Sequence, residues 1–210
     1  MSTLTIEEQK KIEDFLKDAK LSKGLGEPAS TCSLGAINLA LSDTLTDKIP
    51  DCMSDVIGRW IIGVQDEISS EMRNSEQWKN LLPLAAGTGR DEAKEEKRSK
   101  IVIDFVWELL KQLQPIAEEK GFGDDWLSLT TDRQNDLSLK LYHSVEKHSV
   151  CLQVYVLGYI NYITSHSHIA SQCYYALRVI RTVKKALPKG FTLDWELLDP
   201  CGTLHALITA

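Results

Sequence analysis

The stretch MSDVIGRWIIGVQDEI, residues 53–68, decides the fold. Met53, Val56, Ile57, Trp60, Ile61, Val64 and Ile68 recur at helical spacings, which at about 3.6 residues per turn gathers them into one broad apolar stripe. A stripe this bulky has to be covered, so the spacing predicts a core helix that begins after Pro50. The opposite side carries Asp55, Arg59, Ile62 and Asp66 at i, i+4, i+7 and i+11. A guanidinium between two carboxylates reads as an ion-pair strip joining neighbouring helices. It disfavours a catalytic acid/base pair, because Arg59 would keep both carboxylates ionised.

Outward from this helix the period stays helical. Thr5 and Glu8 form a capping box for a helix with Ile12, Phe15, Leu16 and Ala19 on one side, ended by Gly24, Gly26 and Pro28. A short helix carries Leu34, Ile37 and Leu41. Ser75 caps another with Trp78, Leu81 and Leu82, which Pro83 and the Gly87-Thr88-Gly89 loop are expected to close. From Arg90 the charges alternate through Arg98, with Glu96 and Lys100 at i,i+4, before Val102, Phe105, Val106, Leu109 and Leu113 turn the pattern apolar. This predicts one long helix whose first turns project into water, with Gly121 and Gly123 stopping the segment after Pro115. A second long helix is expected from about Thr131, with Leu137, Leu141, Val145, His148, Leu152, Tyr155, Tyr159 and Tyr162 along one side. The next carries Ile169, Cys173, Ala176, Ile180, Val183 and Leu187, ended by Pro188 and Gly190. Asp199-Pro200 starts a last short helix through Leu204 and Leu207. No run of alternating strands emerges. The expected fold is all-α, a single-domain multi-helix bundle over residues 1–210 with 1–28 as an N-terminal helical arm, burying Trp60, Val64, Phe105, Leu109, Leu152 and Ile180.

Composition and charge narrow the function classes. The 210 residues are 43% hydrophobic and 26% charged, enough to bury a core without disulfides or metals, and 12 Gly with 6 Pro mark no linker. Lys and Arg number 24 against 30 Asp and Glu, and the net charge of −6 opposes long-range attraction to nucleic acid or to an anionic membrane. The opening MSTLTIEEQKK lacks the apolar run and cleavage site of a signal peptide. The stretch Val150–Ile163, interrupted by Gln153, Gly158 and Asn161, is shorter than the roughly 20 residues that span a bilayer. Cys32, Cys52, Cys151, Cys173 and Cys201 are odd in number and never form Cys-x-x-Cys, which reads as reduced thiols in a cytoplasm.

Residues 45–67, LTDKIPDCMSDVIGRWIIGVQDE, and 71–90, EMRNSEQWKNLLPLAAGTGR, carry a resemblance that extends to GFGDDW at 121–126 and DPCG at 199–202. The pattern resembles a family of short bacterial and phage-associated helical proteins without an assigned activity, distantly like immunity proteins. Some such relatives are Ala-rich toward the C-terminus, a tail this chain lacks. The resemblance implies no activity and no functional residues.

Four candidate sites follow from the residues. The loop Gly87, Thr88, Gly89 and Arg90 before a helix could offer backbone N–H groups and an arginine to an anion, although it lacks the spacing and the Lys-Ser/Thr pair of a phosphate-binding P-loop. A plain helix-to-helix turn is the competing reading. His143, His148, His166 and His168 lie near Cys151 and Cys173, but only His148 and Cys151 stand at a chelating i,i+3, so no metal and no cofactor is expected. Gly-x-Ser-x-Gly and His-Glu-x-x-His are absent. The tyrosine-rich run from Val154 to Tyr162 reads as core packing before it reads as a ligand cavity.

The fourth candidate is the helix at 172–190, which has five basic residues and no acidic one in a chain of net negative charge. Tyr174, Arg178, Arg181 and Lys185 stand at i, i+4, i+7 and i+11, opposite the apolar stripe. A solvated face complementing the helix dipole explains part of this, and a recognition face for an acidic protein is the functional alternative. The expected function is therefore a non-enzymatic cytoplasmic interaction factor, an immunity- or inhibitor-type accessory protein that occupies an acidic partner's surface, with no membrane and with nucleic acid disfavoured. The competing class is a small helical enzyme or ligand-binding protein with a pocket between the Met53 helix and the tyrosine-rich helix.

Overall fold

The computed structural model describes residues 4–133, 135–146 and 151–210, without the side chains of residues 135, 137, 143–146, 151–155 and 184–186. The fold is all-α apart from one small sheet, and the chain divides into two compact units. One contains the residues up to Arg98 together with Asp199–Ala210, and the other is Ser99–Leu198.

In the first unit α1 (Ile6–Asp18) is started by the expected capping box, Glu8 N–H donating to Thr5 Oγ1 at 3.2 Å and Thr5 N–H to Glu8 at 2.8 Å. Buried Ile12 and Leu16 pack it onto α2 (Ser33–Ser42) and α5 (Glu76–Ala86), so this segment is part of the unit's core and does not project as an arm. Between α1 and α2 lie β1 (Lys20–Leu21), β2 (Gly26–Glu27) and β3 (Ser30–Thr31), with β3 central, parallel to β1 and antiparallel to β2. At two residues each, these strands are too short to leave an alternating signature in the sequence. Gly26 is required there: φ is +68°, and a Cβ would fall on the Ser30 carbonyl oxygen.

The decisive stretch forms α3 (Asp55–Gln65), capped by Ser54 Oγ, which accepts the Ile57 N–H at 3.2 Å. Met53, Ile57, Trp60, Ile61, Val64 and Ile68 are all fully buried. Trp60 lies 6.1 Å from Trp78 of α5, whose indole donates to Ser33 Oγ at 3.1 Å. After α3 the short α4 (Ser70–Arg73) turns the buried Arg73 guanidinium back onto the α3 end, donating to the carbonyls of Gln65 at 2.6 Å and Ile68 at 2.8 Å. A cation on the last carbonyls of a helix completes its capping.

Pro83 does not close α5 as expected; the helix runs through it to Ala86. An interior proline costs about 3 kcal/mol, but Leu82, Pro83, Ala85 and Ala86 are buried. Burying the leucine alone is worth about 1.5–3 kcal/mol, so packing outweighs the missing hydrogen bond. The long helix α6 (Glu92–Lys111) follows, and α13 (Pro200–Thr209), capped by Asp199, packs on α3 and α5.

The second unit contains the rest of α6, then α7 (Gln114–Glu119), α8 (Gly123–Asp132), α9 (Asn135–Glu146), α10 (Cys151–Ser165), α11 (Ile169–Ala186) and α12 (Trp195–Leu198). The single long helix expected from Thr131 to Tyr162 is instead the end of α8 followed by two helices, α9 and α10, that pack side by side. Arg133 ends α8 with φ of +56°, a left-handed conformation that a non-glycine residue adopts only against a steric penalty. Its guanidinium is held 2.6 Å from Asp104 and 5.5 Å from the Trp107 ring centroid, interactions that offset the strain. Phe105, Leu109 and Ile180 are buried, as are Trp60 and Val64 in the first unit; Leu152 lies outside the described side chains.

Candidate partner-binding face

The pattern on α11 folds as the spacing implies. Cys173, Ala176, Leu177, Val179, Ile180 and Val183 are buried, while Tyr174, Arg178 and Arg181 are exposed on the other side. Lys185 continues the row in the helix backbone, and its side chain lies outside the description. Arg178 reaches back one turn to Tyr174, donating from Nη2 at 2.8 Å and Nε at 3.2 Å to the phenol oxygen, with the guanidinium carbon 5.3 Å from the ring centroid. The hydrogen bond to Tyr174 raises the guanidinium pKa above its already high ordinary value. The result is a fixed cation with an aromatic flank.

Pairing of α10 with α11 adds what the sequence reading missed. Tyr162 stacks on Tyr175 with centroids 4.5 Å apart and planes inclined by 14°, and Tyr159 stands 6.2 Å from the same ring. Tyr174 meets Tyr175 edge-on at 5.2 Å. His166 lies 5.2 Å from Tyr175 and 5.6 Å from Tyr162, its Nδ1 2.8 Å from the Tyr162 carbonyl oxygen. Tyr162 and Tyr174 are each 45% exposed, so Tyr162 belongs to a surface ring cluster and not to the core side on which its spacing placed it. One sequence signal marks this region: from Lys147 to Leu193 there are six basic residues and no acidic one, so the remaining residues hold all 30 carboxylates.

In the Gly87–Arg90 loop the first three backbone donors are committed. Gly87 and Thr88 N–H donate to Leu84 and Ala85 carbonyls, each at 3.2 Å, and Gly89 N–H to Cys52 at 2.8 Å. Thr88 Oγ1 donates to the Ala85 carbonyl at 2.7 Å and accepts the Ser54 N–H at 3.0 Å. Arg90 lies 3.2 Å from Asp55 and 3.7 Å from Asp51. The loop therefore clamps the start of α3, with the N–H groups of Gly87, Thr88 and Gly89 engaged within the protein. It also redirects the expected ion-pair strip. Asp55 pairs with Arg90, Asp66 Oδ1 accepts the Gly24 N–H at 2.9 Å and a Gln65 amide hydrogen at 3.1 Å, and Arg59 is exposed.

Arg98, expected on the solvated start of α6, is the largest departure from the charge pattern, with its side chain 1% exposed. It donates to Glu95 at 2.8 Å, to Leu207 of α13 at 3.1 Å and to Gly89 at 3.3 Å. Glu95 is its i−3 neighbour on the same helix, but the Leu207 and Gly89 carbonyls come from other segments, which the local pattern could not supply.

The four described cysteines are free and buried, and Cys151 and His148 lie outside the described side chains. His166 and His168 close no ligand set, and no group of three His, Cys, Asp or Glu converges among the described residues. In the second unit an apolar crevice lined by Leu113, Phe122, Trp126 and Leu157 has a volume of about 30 Å³, room for one water and not for a substrate. Among the described residues no helix is long and apolar enough to cross a membrane. No protein family, no curated protein and no solved structure matches the chain.

Proposed function

We propose that this chain is a non-enzymatic interaction protein whose α10–α11 face engages an acidic protein, as an immunity- or inhibitor-type accessory factor working in the cytoplasm. The observation that supports the reading is the exposed Tyr162 and Tyr174 beside the fixed Arg178 on an acid-free stretch of chain. Tyrosine loses little conformational freedom on docking, Arg178 is already held by Tyr174, and both residue types dominate the energetics of protein interfaces.

Photo-crosslinking tests it. A photoreactive phenylalanine analogue at Tyr174 should capture a discrete acidic protein in the native host, and one at Glu13 on α1 should not. The captured protein, purified, should bind the parent chain more tightly than an Arg178→Glu variant. Equal binding to both would remove the reading.

A further inference from the structure

In the first unit, behind the Gly87–Thr88 turn, lies a pocket of about 300 Å³ lined by Gln9 of α1, Pro83 and Leu84 of α5, Lys94 and Arg98 of α6, and Ile208 of α13. We propose that it is a binding site for a small ligand bearing a carboxylate or phosphate group. Its volume is at the lower end of the range for small-molecule sites. Its lining holds two cations, one amide and no acidic side chain.

The two cations carry the inference. Lys94 and Arg98 stand at i,i+4 on one face of α6, with Glu95 pairing Arg98 and leaving Lys94 as the cation without a carboxylate of its own. Lys94 is exposed, with no carboxylate paired to it among the described residues. Arg98 is fixed by its bonds to Glu95, Leu207 and Gly89, and among the described residues its Nη2 meets only the Thr88 carbonyl at 3.5 Å, the limit of a hydrogen bond. A guanidinium has five N–H donors, so Nη2 retains capacity for another acceptor. An oxyanion between Lys94 and Arg98 takes charge-assisted hydrogen bonds from both, and Gln9, whose Nε2 donates one hydrogen to Glu13 at 2.9 Å, has its second amide hydrogen for the ligand. Anion recognition thus falls to side chains behind the turn, because the turn's own N–H groups are committed.

The pocket belongs to the first unit and shares no residue with the α10–α11 face, so either proposal can fail alone. The test titrates the intact protein with inorganic phosphate and, separately, with succinate, at constant ionic strength set with sodium chloride, followed by amide chemical shifts. Saturable binding is expected with one or both, centred on the amides of Gln9, Thr88 and Lys94. Phosphate alone assigns a phosphorylated ligand, and succinate alone a carboxylate. Lys94→Gln should weaken binding by about tenfold, the loss of one charge-assisted hydrogen bond. Leu84→Trp, at a position 44% exposed and tolerant of bulk, should block the pocket and weaken binding at least as much. Binding absent for both probes, or unchanged in either variant, overturns the proposal.

Discussion

Glu95 divides its carboxylate between the buried guanidinium of Arg98, at 2.8 Å, and the Val56 N–H in the first turn of α3, at 3.1 Å. The pair thereby ties α6 to α3, and Arg98 extends the tie to α13 through Leu207. Removing one member of a buried pair leaves the other charge desolvated and unpaired, which costs about 3–5 kcal/mol. Glu95 retains 22% exposure, so water softens its side of the loss. Arg98→Ala should therefore fall near the lower figure, and Arg98→Met with Glu95→Leu should cost well under the sum of the two single changes. Urea denaturation of the four proteins measures this, and additive losses would show that the two charges act independently.

Trp60 is fully buried against Trp78 at the centre of the first unit. Trp60→Ala should cost about 3–5 kcal/mol, as large core aromatics do when truncated. The ring contact also predicts that Trp60→Ala and Trp78→Ala are not additive, because the second truncation enlarges a cavity already opened. A Trp60→Ala variant that melts with the parent would contradict the packing.

What the sequence disclosed depended on how far apart the interacting groups lie. The α3 stripe and the two sides of α11 were legible because helical spacing alone sorts those side chains. Arg98 was misread because its partners, at Thr88, Gly89 and Leu207, are set by tertiary packing while its neighbours in sequence are charged and exposed. Pro83 and Arg133 break local rules for the same reason, Pro83 held by burial and Arg133 by Asp104. At the candidate face Tyr174 and Arg178 were found as an i,i+4 pair. Tyr162 and Tyr175 were not, because a ring stack between two helices has no periodic signature.

Burial pushes the thiols of Cys32, Cys52 and Cys201 above their ordinary value of 9.0, in each case chiefly through desolvation of the thiolate. A folded-state value above the unfolded one contributes stability that is fully present below the unfolded pKa and is lost as pH rises through the folded value. Stability should therefore hold across neutral pH and decline on the alkaline side of 9.0, less steeply when cysteines are replaced by alanine or serine. Native protein at about pH 8 should alkylate slowly at these three positions, since the thiolate is the reactive form. Denatured protein should titrate five thiols, matching the five cysteines of the sequence. Three free thiols would instead reveal a disulfide and an oxidising compartment.

The basic face makes a prediction that needs no identified partner. A chain of net charge −6 should pass a cation-exchange surface unretarded unless its positive charge is concentrated in one place. Arg178 and Arg181 project from α11 within a stretch free of carboxylates, so the native protein should be retarded on such a surface at low salt and released as salt screens the contact. Arg178→Glu with Arg181→Glu should abolish the retardation. Lys48→Glu with Lys97→Glu makes the same change in net charge at exposed positions of the other unit, and should leave most of it. Neither double variant should shift unfolding by more than about 0.5 kcal/mol per position, because exposed charges contribute little to stability. Toward an acidic protein the same reversal should slow association and flatten its salt dependence, since steering by a local field acts on the encounter rate. Equal retardation of the two double variants would mean that net charge alone governs the behaviour, and the α11 row would then be a solvated helix side with no recognition role.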